Sequence, residues 1–465
     1  MKFHQRSDLQ PSTMFNIDPI HKTICIKCIG DAHLKKIISA HPRHRNFCTY
    51  CQSEDDCIDL VDLAHIFDKA FSDTYSEIDE RLAEDHGYPT KGEDLYSIIW
   101  KEIQPIDELI ADDLSKIIYS FWENVSIFQS NPTSDTSFIK AGAESWFEQY
   151  WASMSYSLKN ECRFLNSEAL DLMKMVFDDI DKVPTSDGKS LILEITPEHE
   201  LSTLYRARLF QHDNDLEEAL LNPEKELGPP PNPKATAGRM NAKGISVFYG
   251  ANLPEVALAE VRPPVGSKVA IAKFKVIREV RLLDLTRFKE VVSEFDYSIF
   301  DKQSLNKVRR HKFLTKLEEE LVKPVMPEHS DAGYLVTQVI ADFLASHQML
   351  NLDGVIFRSI QVANKYSKPP MNIVLFNKAS IVMRTFNKPG RKFTSSLYTF
   401  YENGDVIYDP VISYFEHGDS SNNNGYLFDG KLHTLQLISD SIQIREIENV
   451  EYGVDTKSVR IEKGN

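Results

Sequence analysis

The sequence predicts an α+β protein, and three observations support this class. Residues 59–183 carry apolar side chains at the three- and four-residue spacing of amphipathic helices, in runs such as LVDLAHIFDKAF and SEALDLMKMVFDDI. Residues 191–385 contain strand-like runs, among them TLYRARLF, KVAIAKFKVI and NIVLF, interleaved with few helices. Residues 1–58 hold two closely spaced cysteine pairs. Together these patterns indicate mixed helix and sheet behind a small cysteine-rich module.

Four regions follow from these patterns, within a length of 465 residues that suits two to four domains. They are a zinc-ribbon-like module with four cysteine ligands at residues 1–58, an acidic helical domain at 59–185, an α+β domain at 191–385, and a small β-rich C-terminal appendage at 395–465. The appendage is predicted from alternating residues and the turn sequences ENGD and NNNG.

The net charge of −16 is unevenly distributed along the chain. Residues 1–50 carry 8 Lys/Arg and 3 Asp/Glu, whereas residues 51–200 carry 11 Lys/Arg and 33 Asp/Glu. Because the acidic stretch repels a phosphate backbone, we do not expect the whole chain to wrap nucleic acid. No apolar run is long enough to span a bilayer and no secretory signal is visible, so we expect a cytoplasmic protein without a membrane partner.

Two CxxC pairs predict a metal site near the N-terminus. The predicted ligands are Cys25, Cys28, Cys48 and Cys51. Each pair presents two thiolates, and the spacer between the pairs is long enough to bring them to one tetrahedral Zn²⁺. Four protein ligands leave no open position for a substrate, so the zinc is expected to be structural. Cys57, His41 or His44 could replace one ligand, and a set of buried or redox-active thiols is the alternative.

Basic side chains lie between the two cysteine pairs, at Lys35, Lys36, Arg43 and Arg45. They could contact nucleic acid or an acidic partner, but a solvated basic surface is the favoured interpretation.

Several common catalytic motifs are missing from the sequence. There is no G-x-G-x-x-G, H-E-x-x-H or G-x-S-x-G, so neither a Rossmann fingerprint nor these hydrolase motifs support a function.

The residues that most strongly indicate a chemical function lie between positions 204 and 376. Arg206 and Arg208 share one face of the strand-like run TLYRARLF. Arg239 follows Gly238 in a Pro-rich loop, and Tyr249 ends the run ISVFY. Arg208 is interpreted as half of a structural ion pair. Glu260 lies on a short helix, on the apolar face that carries Val256.

A carboxylate on an apolar face is either paired with a cation or functional. Arg206 or Arg239 could pair with Glu260, which would make a structural ion pair. Asn252 is the predicted N-cap of this helix, with Glu255 completing a capping box.

The run GPPPNPKATAGRMNAKGISVFYGANLPEVALAEVRPP resembles the core of the RES-domain family. The later segments YLVTQVIADFL and DGVIFRSIQVANKYSKPPMNIVLF are also similar to that family, and the similarity covers residues 191–385. The family's Arg, Arg, Tyr, Glu and Ser correspond to Arg206, Arg239, Tyr249, Glu260 and Ser359. The resemblance implies an ADP-ribosyltransferase-like fold that acts on NAD⁺ as its substrate.

The helical residues 59–183 resemble the helical segment that precedes the RES domain in some family members. Arg81 and His86 also resemble the R-x4-6-H motif of HEPN helical domains, although a solvated helix end is the favoured interpretation.

These residue types suit cleavage of the nicotinamide–ribose bond. Nicotinamide leaves as a neutral molecule, so the barrier lies in forming an oxocarbenium-like ribose, which the carboxylate of Glu260 would stabilise. Arg206 and Arg239 could bind the pyrophosphate, Tyr249 could stack on nicotinamide, and Ser359 could donate to a phosphate or ribose oxygen.

The resemblance implies a growth-arresting toxin or defence effector that hydrolyses or phosphorolyses NAD⁺. Protein ADP-ribosylation is the first alternative, and a zinc-ribbon binding module with an inert RES fold is the second. The expected partners are NAD⁺, an antitoxin or regulatory protein, and a second copy through the helical region. Nucleic-acid contact by the zinc ribbon is the less favoured expectation.

Overall fold

A computed structural model describes the protein at residues 22–77, 92–124, 136–140, 143–292, 297–323, 333–362, 366–385, 391–416, 432–450 and 456–457. The chain divides into two compact units. Unit 1 comprises residues 1–148 and 293–309, and unit 2 comprises residues 149–292 and 310–465. The predicted HEPN-like pair, Arg81 and His86, lies outside the described residues.

Unit 1 begins with the cysteine-rich module. Its three-stranded antiparallel sheet has the order β1-β3-β2, with β1 Thr23–Cys25, β2 His44–Phe47 and β3 Glu54–Asp59. The helices are α1 Ala32–Ala40, α2 Leu60–Ser72, α3 Leu95–Ile103 and α4 Glu108–Asn124. Strands β4 Tyr75–Glu77 and β5 Phe138–Lys140 form a second, two-stranded antiparallel sheet.

The cysteine-rich module and the helices of unit 1 share one hydrophobic core. Leu34 and Ile38 from α1 belong to the same buried cluster as Phe67 and Phe71 from α2 and Trp122 from α4. Helix α2 also begins directly after β3. The predicted boundary between residues 58 and 59 therefore falls inside a compact unit, because the small module buries its apolar side chains against the helices.

Unit 2 contains a large mixed sheet with helices around it. The helices are α5 Ala143–Asn160, α6 Ser167–Phe177, α7 Asp213–Leu221, α8 Pro223–Glu226, α9 Pro254–Glu260, α10 Lys302–Val322 and α11 Leu335–Ser346, of which α5 and α10 also contain residues of unit 1. The charged helix α10 is an element that the sequence patterns above do not predict.

The strands of unit 2 are β6 Ile192–Ile195, β7 Thr203–Phe210, β8 Phe248–Ala251, β9 Lys268–Val276, β10 Val280–Asp284, β11 Gly354–Arg358, β12 Met371–Leu375, β13 Val382–Met383, β14 Arg391–Phe400, β15 Val406–Glu416, β16 Leu435–Leu437 and β17 Gln443–Glu446. Ten of them form one sheet in the order β13-β16-β9-β7-β8-β12-β11-β10-β6, with β17 also on β9. Most neighbours are antiparallel, while β10–β11 and β13–β16 are parallel. This mixed sheet confirms the α+β class.

Both faces of the sheet are covered near its centre. Leu204, Phe248 and Phe274 belong to the main core on one face. On the other face, Val256 and Ala257 of α9 pack in a cluster with Ala251 and the half-buried Tyr205. This packing places helix α9 over the middle strands β7 and β8.

Helix α9 begins later than predicted. Pro254 occupies the first turn, where its missing N–H costs nothing, and Leu253 is the N-cap without a side-chain hydrogen bond. The Asn252 side chain instead accepts from Met371 N at 2.9 Å and donates to Pro369 O at 2.8 Å. The expected capping box is therefore wrong, because Asn252 joins β8 to the start of β12.

The C-terminal strands do not form a separate appendage. Strands β16 and β17 both pair with β9, through Leu435–Val276 and Gln443–Ile271 among others. The alternating apolar residues Leu435 and Leu437 are buried in the main core of unit 2. Only β14 and β15 form a two-stranded hairpin outside the large sheet, within the described part of unit 2. No helix among the described residues is long and apolar enough to cross a membrane.

We predict that Leu435→Ala destabilises unit 2 by about 2–5 kcal/mol, because it leaves a cavity in a fully buried part of the core. Chemical denaturation followed by circular dichroism measures the change, because three of the four tryptophans lie in unit 1. Ile407→Ala in the exposed hairpin is the matched control, with an expected change within about 0.5 kcal/mol. Equal stability of Leu435→Ala and wild type would show that the C-terminal strands are dispensable to the core.

Candidate functional site

Glu260 ends helix α9 at the surface of unit 2. Val256 and Ala257 are buried against the sheet, whereas Glu260 itself is exposed. Its Oε1 accepts hydrogen bonds from Asn372 Nδ2 at 2.7 Å and Ser359 Oγ at 3.3 Å, and its Oε2 accepts a long one from Gln361 Nε2 at 3.5 Å. A carboxylate at a helix C-terminus is disfavoured by the helix dipole, so these donors are needed to hold it.

The alternative in which Glu260 forms a buried ion pair with an arginine is not realised. The guanidinium groups of Arg206 and Arg239 instead donate to main-chain carbonyl oxygens. The Glu260 carboxylate is therefore oriented by neutral donors, and the residue as a whole is exposed.

Arg206 holds β8 against β7. These strands are paired in register at Tyr205–Ala251, and Arg206 Nη1 donates to Tyr249 O at 2.8 Å just beyond that pair. The guanidinium also lies over the Phe248 ring, 5.4 Å from its centroid. Loss of hydration lowers the pKa of Arg206 to about 10, so the group remains cationic at neutral pH.

Arg239 binds the C-terminal end of helix α10. It donates to the carbonyl oxygens of Glu320 at 3.3 Å, Leu321, and Lys323 at 2.8 Å. Carbonyl oxygens in the last turn of a helix lack an N–H partner within that helix, so the Arg239 guanidinium supplies the missing donors. Its guanidinium also lies 5.4 Å from the centroid of the Tyr334 ring.

The pKa of Arg239 is lowered by burial, and this effect is opposed by the nearby Tyr334, Glu260 and Tyr249. The Glu260 carboxylate therefore favours the cationic form of Arg239.

The hydroxyl of Tyr249 fixes the loop around Arg239. It accepts from Met240 N at 2.9 Å and donates to Asn241 Oδ1 at 2.9 Å. A Cβ atom at Gly238 would lie 2.6 Å from this hydroxyl, so only glycine lets the loop pass this close to the Tyr249 side chain. Burial raises the pKa of Tyr249, which keeps the phenol neutral.

Helix α11 supports the same loop from its other side. Thr337 Oγ1 donates to Arg239 O at 2.7 Å, and Gln338 Nε2 donates to Gly238 O at 2.8 Å. Both side chains are buried. The loop is thus hydrogen-bonded to β8, α10 and α11 together.

The structure joins the five predicted residues into two connected groups. One contains Glu260 and Ser359, and the other contains Arg206, Tyr249 and the loop of Arg239. Ser359 is predicted to face a phosphate or ribose. In the structure its side chain is 3% exposed and donates a hydrogen bond to Glu260.

The sequence predictions did not include Asn372, Gln361, Thr337 or Gln338. An amide inside the apolar run MNIVL was a usable signal for Asn372, since buried amides require partners.

Arg208 forms the ion pair that its position suggested. Its Nη1 lies 2.7 Å from Glu226 Oε2 and also donates to Glu226 O.

The four predicted cysteines form a compact cluster in unit 1. All four sulfurs lie within 4.8 Å of one another, and the Cys25–Cys28, Cys25–Cys51 and Cys28–Cys48 pairs are each 3.6 Å apart. Tetrahedral zinc with Zn–S bonds of about 2.3 Å separates its sulfurs by about 3.8 Å. The cluster can therefore hold a metal ion of that size.

The pKa values of the thiols differ across the cluster. Hydrogen bonds with Ser53 lower the pKa of Cys51 to about 6, whereas burial raises the pKa of Cys28. Cys57 lies outside the cluster, its sulfur is 3.5 Å from Asn46 O, and burial raises its pKa to about 11. A bound cation favours the thiolate form of its ligands.

Several basic side chains of the module are paired with acids from β3. Lys27 lies 2.8 Å from Asp55, and Arg45 lies 3.1 Å from Glu54. Arg43 lies 3.6 Å from Asp56. These pairs reduce the positive surface that a nucleic acid would need.

We predict that the purified full chain carries about one zinc ion and that Cys48→Ser loses it, because three thiolates hold structural zinc poorly. Elemental analysis by mass spectrometry measures the stoichiometry. Cys162→Ser, an exposed cysteine outside the cluster, and Cys57→Ser are the controls and should retain zinc. Loss of metal from Cys57→Ser at the same level as from Cys48→Ser would contradict the four-ligand assignment.

Comparison with known proteins identifies the domain that carries the site. The family model of the RES domain matches residues 203–394, a range that includes Arg206, Arg239, Tyr249, Glu260 and Ser359. Neither the curated proteins nor the solved structures gave a significant match. The RES family is associated with NAD-related toxins. Residues 203–394 of this chain therefore match a RES domain, as the order of the sequence motifs predicted.

Proposed function

We propose that the RES domain cleaves the nicotinamide–ribose bond of NAD⁺, with Glu260 as the catalytic carboxylate. The electron pair of the C–N bond goes to the pyridinium nitrogen, and neutral nicotinamide leaves. An oxygen of water or phosphate then bonds to the same ribose carbon. With water, the products are ADP-ribose, nicotinamide and a proton.

The arrangement of the Glu260 carboxylate is the observation that carries this proposal. Oxygen Oε1 accepts hydrogen bonds from Asn372 and Ser359, while Glu260 as a whole is exposed at the end of α9. A negative charge that is already oriented stabilises an oxocarbenium-like ribose without reorganisation during the reaction. The same carboxylate can orient the incoming nucleophile.

The two arginines are the proposed ligands of the pyrophosphate. Arg206 and Arg239 now donate to neutral carbonyl oxygens, at Tyr249 and at the end of α10 respectively. Phosphate oxygens are stronger acceptors for a guanidinium than carbonyls, so NAD⁺ could replace some of these bonds. Tyr249, whose phenol is neutral and bonded to the loop that carries Arg239, is the proposed surface for nicotinamide or ribose.

The proposal extends to the fold relationship and the biological role. A mixed sheet with a carboxylate-bearing helix over it suits an ADP-ribosyltransferase-like domain. Loss of cellular NAD⁺ would arrest growth, so a partner protein that blocks the site would act as an antitoxin. The cluster of four cysteines would hold structural zinc, with no part in the chemistry.

We predict that the zinc-loaded full chain releases nicotinamide from NAD⁺ and that Glu260→Gln lowers the rate at least about 100-fold, because the variant lacks the charge that stabilises the ribose cation. Chromatography of the products, with and without phosphate, measures nicotinamide and separates ADP-ribose from its 1″-phosphorylated form.

Glu255→Gln is the matched control, since it changes a carboxylate on the same helix whose partner is Arg445 at 3.5 Å. It should retain the wild-type rate. ADP-ribosylated protein without free ADP-ribose would favour the transferase alternative. Intact NAD⁺ after long incubation with folded protein would rule the proposed reaction out.

A further inference from the structure

The Asn372 side chain is a polar group in the centre of the ten-stranded sheet. Strand β12 pairs with β8 and β11 on its two sides, and Asn372 lies opposite Ala251 on one and Phe357 on the other. The residue is 5% exposed and is followed by the fully buried Ile373, Val374 and Leu375. An amide at such a position costs free energy unless its donors are used.

Among the described residues, the side-chain amide of Asn372 donates to the carboxylate of Glu260. The Asn372 Nδ2–Glu260 Oε1 distance of 2.7 Å is the shortest of the three side-chain hydrogen bonds to that carboxylate. The two residues are 112 positions apart in the chain, so the contact depends on the packing of α9 over β12. Small Ala251 beside Asn372 leaves room for the helix.

The two oxygens of the Glu260 carboxylate accept different hydrogen bonds. Oε1 accepts from Asn372 of β12 at 2.7 Å and from Ser359, just after β11, at 3.3 Å, whereas Oε2 accepts from the exposed Gln361 at 3.5 Å. The shorter hydrogen bonds therefore hold Oε1 toward the sheet, while Oε2 has the longer bond to an exposed side chain.

We infer that Asn372 is a positioning residue for the glycosidic cleavage: it holds Glu260 Oε1 so that Oε2 faces the ribose of NAD⁺. The inference rests on the proposed function of Glu260. Asn372 contacts no substrate, and its effect passes through the carboxylate alone. Ser359 assists on the same oxygen with a longer bond.

The main test compares Asn372→Leu and Asn372→Asp with wild type in nicotinamide release from pH 5 to pH 8.5. Asn372→Leu removes the donor while keeping similar volume, so kcat should fall about 10- to 100-fold with KM changed less than about 3-fold. The fold decrease in kcat of Asn372→Leu relative to wild type should be the same at every pH.

Asn372→Asp should show a different pH profile. Two carboxylates this close do not both ionise readily, so the pair retains one proton at acidic pH. The protonated acid can then donate to Glu260 as the amide does, and activity relative to wild type should rise as pH falls. Above the pH at which that proton is lost, repulsion should reduce activity below that of Asn372→Leu.

Asn377 supplies the matched control. It follows β12, and its amide donates to Ser246 O at 2.9 Å without contacting Glu260. Asn377→Asp should leave the pH profile unchanged. A purely structural role for Asn372 would lower thermal stability in both of its variants without the acidic recovery of Asn372→Asp, and that result would overturn the inference.

A second readout does not require turnover. The side-chain amide NMR signal of Asn372, assigned by its loss in Asn372→Asp, should shift in Glu260→Gln and stay in place in Glu255→Gln. An unmoved signal in Glu260→Gln would overturn the contact itself. Inactive wild type with the expected NMR shift would instead reject the proposed reaction and retain the Asn372–Glu260 contact.

Discussion

The hydrogen bond between Asn372 and Glu260 joins helix α9 to the middle of the ten-stranded sheet. Apolar packing of Val256 and Ala257 places the helix over β7 and β8, but packing alone does not orient a carboxylate at the helix end. The buried amide supplies that orientation, because a donor in a low-dielectric sheet has few other partners. The rest of the site is built around the resulting fixed charge.

A second set of hydrogen bonds fixes the cationic side of the site. The Tyr249 hydroxyl, together with Thr337 and Gln338 of α11, holds the loop that carries Arg239. Arg239 in turn satisfies carbonyl oxygens at the end of α10. The loop, both helices and β8 are therefore coupled, so that a ligand drawing Arg239 away would alter the support of α10 as well.

Strand β7 and the cysteine cluster were predictable from the local sequence. The run TLYRARLF coincides with β7, and the two CxxC pairs predicted the cysteine cluster, because alternation and ligand spacing act over short distances. The partners of Glu260 were not predictable in this way, since Asn372 reaches it only through sheet pairing. For the same reason β16 and β17 resembled an appendage, although their apolar residues complete the core beside β9.

A crystal structure of Glu260→Gln with NAD⁺ bound would test the central claim most directly, because the variant should bind the dinucleotide without consuming it. We expect the ribose carbon that bears nicotinamide to lie beside the side chain of residue 260, on the side away from Asn372, with the pyrophosphate near Arg239. NAD⁺ bound elsewhere on the domain, with residue 260 free of contact, would contradict the assignment of Glu260.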